Sequence, residues 1–343
     1  MSVSKKVSRQ FFLDALQCHV FSRPLSTSVK RDDIDQVALV AYLQNHRLEY
    51  RLLSLIKPYF SESDLVIQSL SPSVTSYPFR FLKHQKQLQV VVSRFQEKGL
   101  QFCILKGFPL NFLIYDTRPL RFSKDIDIWV HPHSRQEAHD ILVSLGYRYT
   151  PQLTFWISRI CKDFTYRTSE SEIELHQFPV LNPEIGCRWL DTVRLIDIHH
   201  VTYPILGIEE QWVYLCFHAA KHHWNRLHWL VDLALLFQKT EINWDKVVAI
   251  GIENHAIRPL NETAILLKEF FNIHLPCTLP LSVTDRISAS ARLGLLRLFF
   301  YRVSNKKKLY RSLFFMVSWT LYTGLRDKRD YILVLVSKLI QGK

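Results

Sequence analysis

The sequence predicts a small α/β core with helical regions on both sides. Three observations lead there. Between residues 99 and 180, short apolar or alternating runs are interleaved with helical patterns, the order expected of a compact α/β unit. Before and after that stretch, apolar residues recur at helical spacing. The chain has 343 residues, 48% of them hydrophobic, with only 9 Gly and 14 Pro, enough material for two or three packed units. Charged residues make up 22%, an ordinary globular value that argues against global disorder. The expected organisation is an N-terminal helical region (1–98), an α/β core (99–180), a C-terminal helical region (181–300) and a basic amphipathic tail (301–343).

The elements follow in order. Helical periodicity marks 11–16, 34–43, 48–56 and 81–95, with breaks expected at Pro58 and in the loop-like SPSVTSYP of 71–78. QFCILK (101–106), following Gly99, reads as a buried strand, and 108–115 as a helix opened by Gly107. DIDIWV (125–130) alternates strictly and reads as a second strand. A helix over 133–145 ends at Gly146. Residues 164–167 and 173–176 read as two more strands around a polar turn at 168–172. Beyond 180 the pattern is helical again, over 209–223, 228–238, 244–250, 261–271, Val283–Phe300 and two further segments in the tail.

The net charge of +13 points to anionic partners: nucleotides, nucleic acid or an anionic membrane surface. It is unevenly spread, because residues 301–343 hold six Lys and four Arg against two Asp. The six cysteines include no CxxC pair and are irregularly spaced, which argues against a disulfide framework or zinc ribbon and for free thiols in a reducing compartment. The basic N-terminus is interrupted by Asp14, so it reads as an amphipathic helix and not a signal peptide. No stretch reaches the ~18 uncharged apolar residues of a membrane span. A cytoplasmic protein is expected.

The most informative segment is LKGFPLNFLIYDTRPLRFSKDIDIWV, residues 105–130. Asp125 and Asp127 are two apart on a strand, so they emerge on one face while Ile126, Ile128 and Val130 take the other. Two carboxylates about 6–7 Å apart repel each other, and a divalent cation between them relieves that repulsion. Mg²⁺ suits, being a hard ion held by one or two carboxylates plus substrate phosphates. A DxD pair alone also fits a solubilising strand edge. Its context favours chemistry: the pair follows Ser123 and Lys124 and lies shortly after a strand–Lys106–Gly107–helix turn. A helix N-terminus there suits phosphate, with Lys106 as a point charge and Arg121 as a planar fork. Two metals for in-line phosphoryl transfer call for a third carboxylate. Glu174 in IELHQ is the candidate, because it sits mid-strand between two apolar residues and shares a face with His176. Glu172 reads as part of the turn.

Leu105-Lys106-Gly107, Tyr115, Arg121-x-x-Lys124-Asp125-x-Asp127 and Glu174-x-His176 resemble a bacterial branch of the nucleotidyltransferase superfamily, the uncharacterised nucleotidyltransferases, which share the DNA polymerase beta type of palm. The likeness extends from about residue 35 to about 250, taking in His218-x-x-x-His222-x-Trp224-x-Arg226-Leu227-x-Trp229-Leu230-x-Asp232. It implies a mixed sheet with helices on one face and an open cleft on the other. It implies two Mg²⁺ (or Mn²⁺) ions at Asp125, Asp127 and Glu174, and a nucleoside triphosphate along the Lys106-Gly107 turn, close to Arg121, Ser123 and Lys124. The acceptor it implies is undefined: a small molecule, peptide, saccharide or tRNA. The wider superfamily has Gly-Ser or Gly-Gly where Lys106-Gly107 stands here; this branch generally shows Lys-Gly.

His218 and His222 are four apart, a spacing used for zinc, but there is no HExxH. The other readings are a cleft lined by His222 and Arg226, or polar residues packing helices. Trp224 and Trp229 can stack a base or fill a core. The tail combines Lys306, Lys307 and Lys308 with apolar faces, compatible with packed terminal helices, peripheral membrane contact or RNA binding. The leading expectation is nucleotidyl transfer. Its rivals are a non-catalytic nucleotide-binding or membrane-associated scaffold and a toxin acting on tRNA or protein.

Overall fold

The computed structural model describes residues 3–115, 120–121, 123–149, 163–176 and 188–300. The basic tail, with its expected helices and membrane or nucleic-acid contacts, lies outside the described residues.

Helices α1 (Val3–Val20), α2 (Gln36–Asn45), α3 (Glu49–Ile56) and α4 (Leu65–Glu97) precede the first strand. Helix α1 buries Phe11, Phe12, Ala15, Leu16 and Val20, a stripe at i and i+4. A short 3₁₀ turn at Lys57–Tyr59 breaks the chain at Pro58, as expected. The second expected break does not occur. Residues 71–78 lie inside α4, with Pro72 and Pro78 in the helix. Each proline removes one helix donor. Here Ser73 donates to the Leu70 carbonyl (2.9 Å) and Ser76 to that of Ser73 (3.0 Å), while buried Tyr77 donates to the Arg121 carbonyl (2.5 Å). Tertiary anchoring overrides local propensity at this point.

The core contains β1 (Phe102–Ile104), α5 (Gly107–Ile114), β2 (Ile126–Val130), α6 (Arg135–Ser144), β3 (Arg148–Tyr149), β4 (Asp163–Arg167) and β5 (Glu172–His176). Every strand and helix expected between 99 and 176 is present, and β3 is additional. A further hairpin, β6 (Arg194–Ile198) and β7 (Val201–Ile205), adds two strands where the sequence pattern suggested only helix. Its turn is His199-His200, both at positive φ (49° and 65°). Such turns usually announce themselves by Asn-Gly or Asp-Gly, so the usual signal is missing. Pro204 and the mostly exposed side chains of β6 further obscure the strand period.

The seven strands form one mixed sheet in the order β3-β4-β5-β2-β1-β7-β6. Strand β2 is antiparallel to β1 and parallel to β5; β7 returns parallel to β1. The β2–β5 register matters most, because it sets Asp127 opposite Glu174 and Trp129 opposite His176. Side chains in register on neighbouring strands share a face, so Asp127, Glu174 and His176 lie together.

Each face has its own core. Ile104, Ile126, Ile128, Val130, Ile173 and Leu175 pack with Leu88, Val91, Val92 and Phe95 of α4 and with Ala138 and Leu142 of α6. Cys103, Leu105 and Trp129 belong to the larger core, built from α1 to α3 and the later helices α7 (Ile208–Lys221), α8 (His228–Lys239), α9 (Trp244–Glu253) and α10 (Ile257–Phe271). Helix α11 (Val283–Phe300) follows. Cys18, Cys103, Cys216 and Cys277 are free thiols. Among the described residues no helix is long and apolar enough to cross a membrane.

Candidate active site

The site is built where β1 turns into α5. The Leu105 N–H donates to the Asp127 carbonyl (2.9 Å), which carries the β1–β2 ladder up to the turn. Lys106 then caps α5 with φ 30° and ψ −125°, a backbone conformation that suits glycine better than lysine. Gly107 follows under a close approach: a Cβ there would stand 2.7 Å from Ser123 Oγ and 3.1 Å from Ser123 Cβ. The turn therefore packs directly on the segment that leads into Asp125.

Asp127 lies at the centre, its side chain fully buried. One oxygen, Oδ1, takes both Lys106 Nζ and His176 Nε2, each at 2.8 Å. The other, Oδ2, is buried with no hydrogen-bond partner among the described residues. A buried carboxylate oxygen left in that state calls for an explanation. Glu174 supplies one: its Oε2 is 3.9 Å from His176 Nε2, and one ligand atom each from Asp127, Glu174 and His176 lie within 4.8 Å of one another. Two carboxylates and an imidazole this close together, one carboxylate with an unpartnered oxygen, fit a divalent cation, with oxygens suited to Mg²⁺ or Mn²⁺.

The electrostatics agree with this arrangement. Burial would raise the Asp127 carboxyl, but Lys106 and His176 outweigh it and hold the group well below the usual range. At Glu174 the balance goes the other way: burial first, then the Asp127 charge, outweigh His176 and Lys106 and push it up to about 7. Burial disfavours the Lys106 ammonium, yet Asp127, Tyr214 and Asp125 more than compensate and keep it charged.

The expected site residues are brought together only in part. Asp127, Glu174, Lys106 and Gly107 converge, and His176 joins the ligand group. Asp125 is outside that group. It precedes β2, receives the Ser123 hydroxyl at its carbonyl (2.8 Å) and at Oδ1 (3.3 Å), and lines a cavity of about 290 Å³ with Ser123, Lys124, Tyr77, His84 and Phe108. Lys124 is exposed and 3.6 Å from Glu172, which also binds Arg167 (2.7 Å), so Glu172 serves the turn as expected. Arg121 is buried: its Nε donates to Asp232 Oδ2 at 2.7 Å, while its Nη1 lies beside the Gly107 turn, 3.5 Å from where a Cβ there would stand. The sequence could not show that its partner lies 111 residues away.

Arg226 is half-buried; burial lowers its pKa, and the Asp125 charge opposes that. Arg47 is a similar cation, lowered to about 10 by burial and then by Arg226, with Asp125 opposing. Sequence reasoning missed Arg47, which sits between α2 and α3 with no motif around it. His222 is exposed, its ring against His218 (centroids 4.7 Å) and Trp229 (5.5 Å). Trp224 is buried, with its Nε1 donating to Glu262 (3.2 Å), and Trp229 is buried too, so both tryptophans are core residues.

No curated protein matches the chain. Among solved structures, it is similar to the antibiotic-resistance factor ANT(2'')-Ia, with 13% identity and a TM-score of 0.37 over 54% of this chain and 96% of that one. It is similar to the lincosamide antibiotic adenylyltransferase LnuA in its lincomycin-bound form, with 16% identity and a TM-score of 0.32 over 45% and 97%. A third likeness is to an antigenic nucleotidyltransferase-like protein from Paracoccidioides brasiliensis, with 14% identity and a TM-score of 0.38 over 56% and 93%. The model of one family, described as uncharacterised nucleotidyltransferase, matches residues 32–272, a span that holds the whole β1–β5 site and the helices packed on it. This chain belongs to that nucleotidyltransferase family.

Proposed function

We propose that the protein transfers a nucleoside monophosphate from a nucleoside triphosphate to an acceptor hydroxyl at the Asp127–Glu174–His176 group, with Mg²⁺ or Mn²⁺ as cofactor. The observation that carries this reading is the buried Asp127 carboxylate, which leaves Oδ2 unpartnered and groups with Glu174 and His176 through ligand atoms within 4.8 Å of one another. Asp127, Glu174 and His176 would hold the cation, with Asp125 flanking them. When bound, a divalent cation would neutralise charge developing on the phosphoryl oxygens.

The chain's own residues supply the rest. The N-terminal turn of α5 at Gly107 offers backbone N–H groups to phosphate. Lys106, Arg47 and Arg226 provide positive charge around Asp125 and Asp127. The acceptor oxygen forms a bond to the α-phosphorus as the bond to the pyrophosphate oxygen breaks, and pyrophosphate leaves. Glu174 either completes the cation site or, left outside it, takes the acceptor proton. Most of the rate enhancement comes from positioning and electrostatics.

The test is transfer of label from α-³²P-ATP, CTP, GTP and UTP, with Mg²⁺ or Mn²⁺, in lysate containing protein, RNA and small molecules. Wild type is compared with the Asp125→Ala/Asp127→Ala double variant. Label that appears only with wild type supports the reading, and the labelled fraction identifies the acceptor class. Equal labelling by both folded proteins overturns it.

A further inference from the structure

The ammonium of Lys106 sits on the Asp127 oxygen next to the one that a metal ion would use. Its Nζ lies 2.8 Å from Asp127 Oδ1, and its side chain is 11% exposed. The neighbouring Oδ2 is unpartnered. A cation can therefore approach Asp127 from one oxygen while the lysine still holds the other. Once it has arrived, a monovalent and a divalent cation would share one buried carboxylate, and like charges at that separation repel strongly in a poorly solvated site. The backbone adds a second observation. Lys106 sits at φ 30° and ψ −125°, which glycine tolerates better than a residue with a side chain. A lysine held in a strained conformation beside a binding site is a residue retained for its side chain.

We propose that Lys106 is the resident counter-ion of the metal site: with no divalent cation bound it neutralises Asp127, and cation binding displaces it. This rests on the nucleotidyl-transfer reading, and it links two events that the reading leaves separate. A displaced Lys106 stands at the head of α5 with its charge free for triphosphate oxygens. Metal arrival and triphosphate capture then favour each other, because the same ammonium cannot serve both partners at once.

The experiment measures Mn²⁺ binding to the full chain by electron paramagnetic resonance, without nucleotide and without turnover. Wild type is compared with Lys106→Met, which keeps the buried stem, and Lys106→Gly, which relieves the backbone. Thermal melts establish that each variant is folded, and either variant alone suffices. With the counter-ion removed, Mn²⁺ binds tighter by roughly tenfold or more in the variants. A non-hydrolysable triphosphate analogue tightens Mn²⁺ binding in wild type by a larger factor than in the variants. Unchanged or weaker Mn²⁺ binding in folded variants, with measurable binding by wild type, overturns the counter-ion role and leaves the metal site standing. Absence of Mn²⁺ binding in wild type and variants alike overturns both.

Discussion

Asp127 and Asp232 invite comparison. Both side chains are fully buried, and each is held by two basic partners. Their oxygens are used differently. Asp232 Oδ1 accepts from Arg51 Nη2 (2.6 Å) and from the Tyr115 hydroxyl (3.3 Å), while Oδ2 accepts from Arg121 Nε (2.7 Å). Both of its oxygens are satisfied, and the cluster joins α3, α8 and the segment before Asp125. Asp127 puts both partners on Oδ1 and leaves Oδ2 buried and bare. The difference separates a carboxylate satisfied within the fold from one that, on the proposed reading, keeps an oxygen for a ligand. Burial and paired cations alone do not distinguish the two.

Substituting the isosteric amide is the sharpest way to probe that contrast. At Asp232 an amide must turn its NH₂ toward a donor, and two buried guanidinium groups lose their counter-charge. Asp232→Asn should cost about 3–5 kcal/mol, read as a fall in the urea midpoint; a midpoint like that of wild type would remove the structural half of the comparison. A smaller effect is expected at Gly107, where a Cβ would stand 2.7 Å from Ser123 Oγ. Gly107→Ala should cost about 1–3 kcal/mol as an overpacked contact. It should also reduce transfer, because the Ser123 hydroxyl that steadies Asp125 has to move. Unaltered stability and transfer would show that the turn does not constrain Asp125.

The smallest effect concerns a buried group away from both aspartates. His46 Nδ1 accepts from the Leu227 N–H (3.3 Å), and burial, then Arg226, lowers its pKa from 6.5 to about 4. The unfolded chain therefore binds the proton more readily than the folded one. Stability from this group is complete above about pH 6.5 and is lost as pH falls from 6.5 toward 4. Urea midpoints across that window should fall less steeply for His46→Gln than for wild type; an equal slope would assign the acid sensitivity to other groups.

The sequence made the β1–α5–β2 turn and the carboxylates of β2 and β5 legible because strand alternation fixes which residues share a face. Ile126 and Ile128 on one side imply Asp127 on the other, and the same logic places Glu174 with His176. What stayed hidden depends on distant partners. The Arg121 fork gives no hint that Asp232, far along the chain, takes its Nε, and Arg47 carries no local signal. Pro72 and Pro78 suggested a break that tertiary packing overrides, and His199-His200 concealed a hairpin because the turn lacks its usual residues. Asp125 shares the DxD pattern with Asp127, but it lies just ahead of β2 and its Oδ1 is tied to Ser123.

The most direct test of the central claim is label transfer by Asp127→Asn, measured beside its urea midpoint. The amide oxygen can still accept from Lys106 and His176, but the one buried ammonium loses its counter-charge, so the fold should lose about 3 kcal/mol, less than at Asp232, where two guanidinium groups do. Transfer should fall by roughly a thousandfold or more as the metal-holding charge is removed. A folded Asp127→Asn protein that transfers label at the wild-type rate would contradict the account.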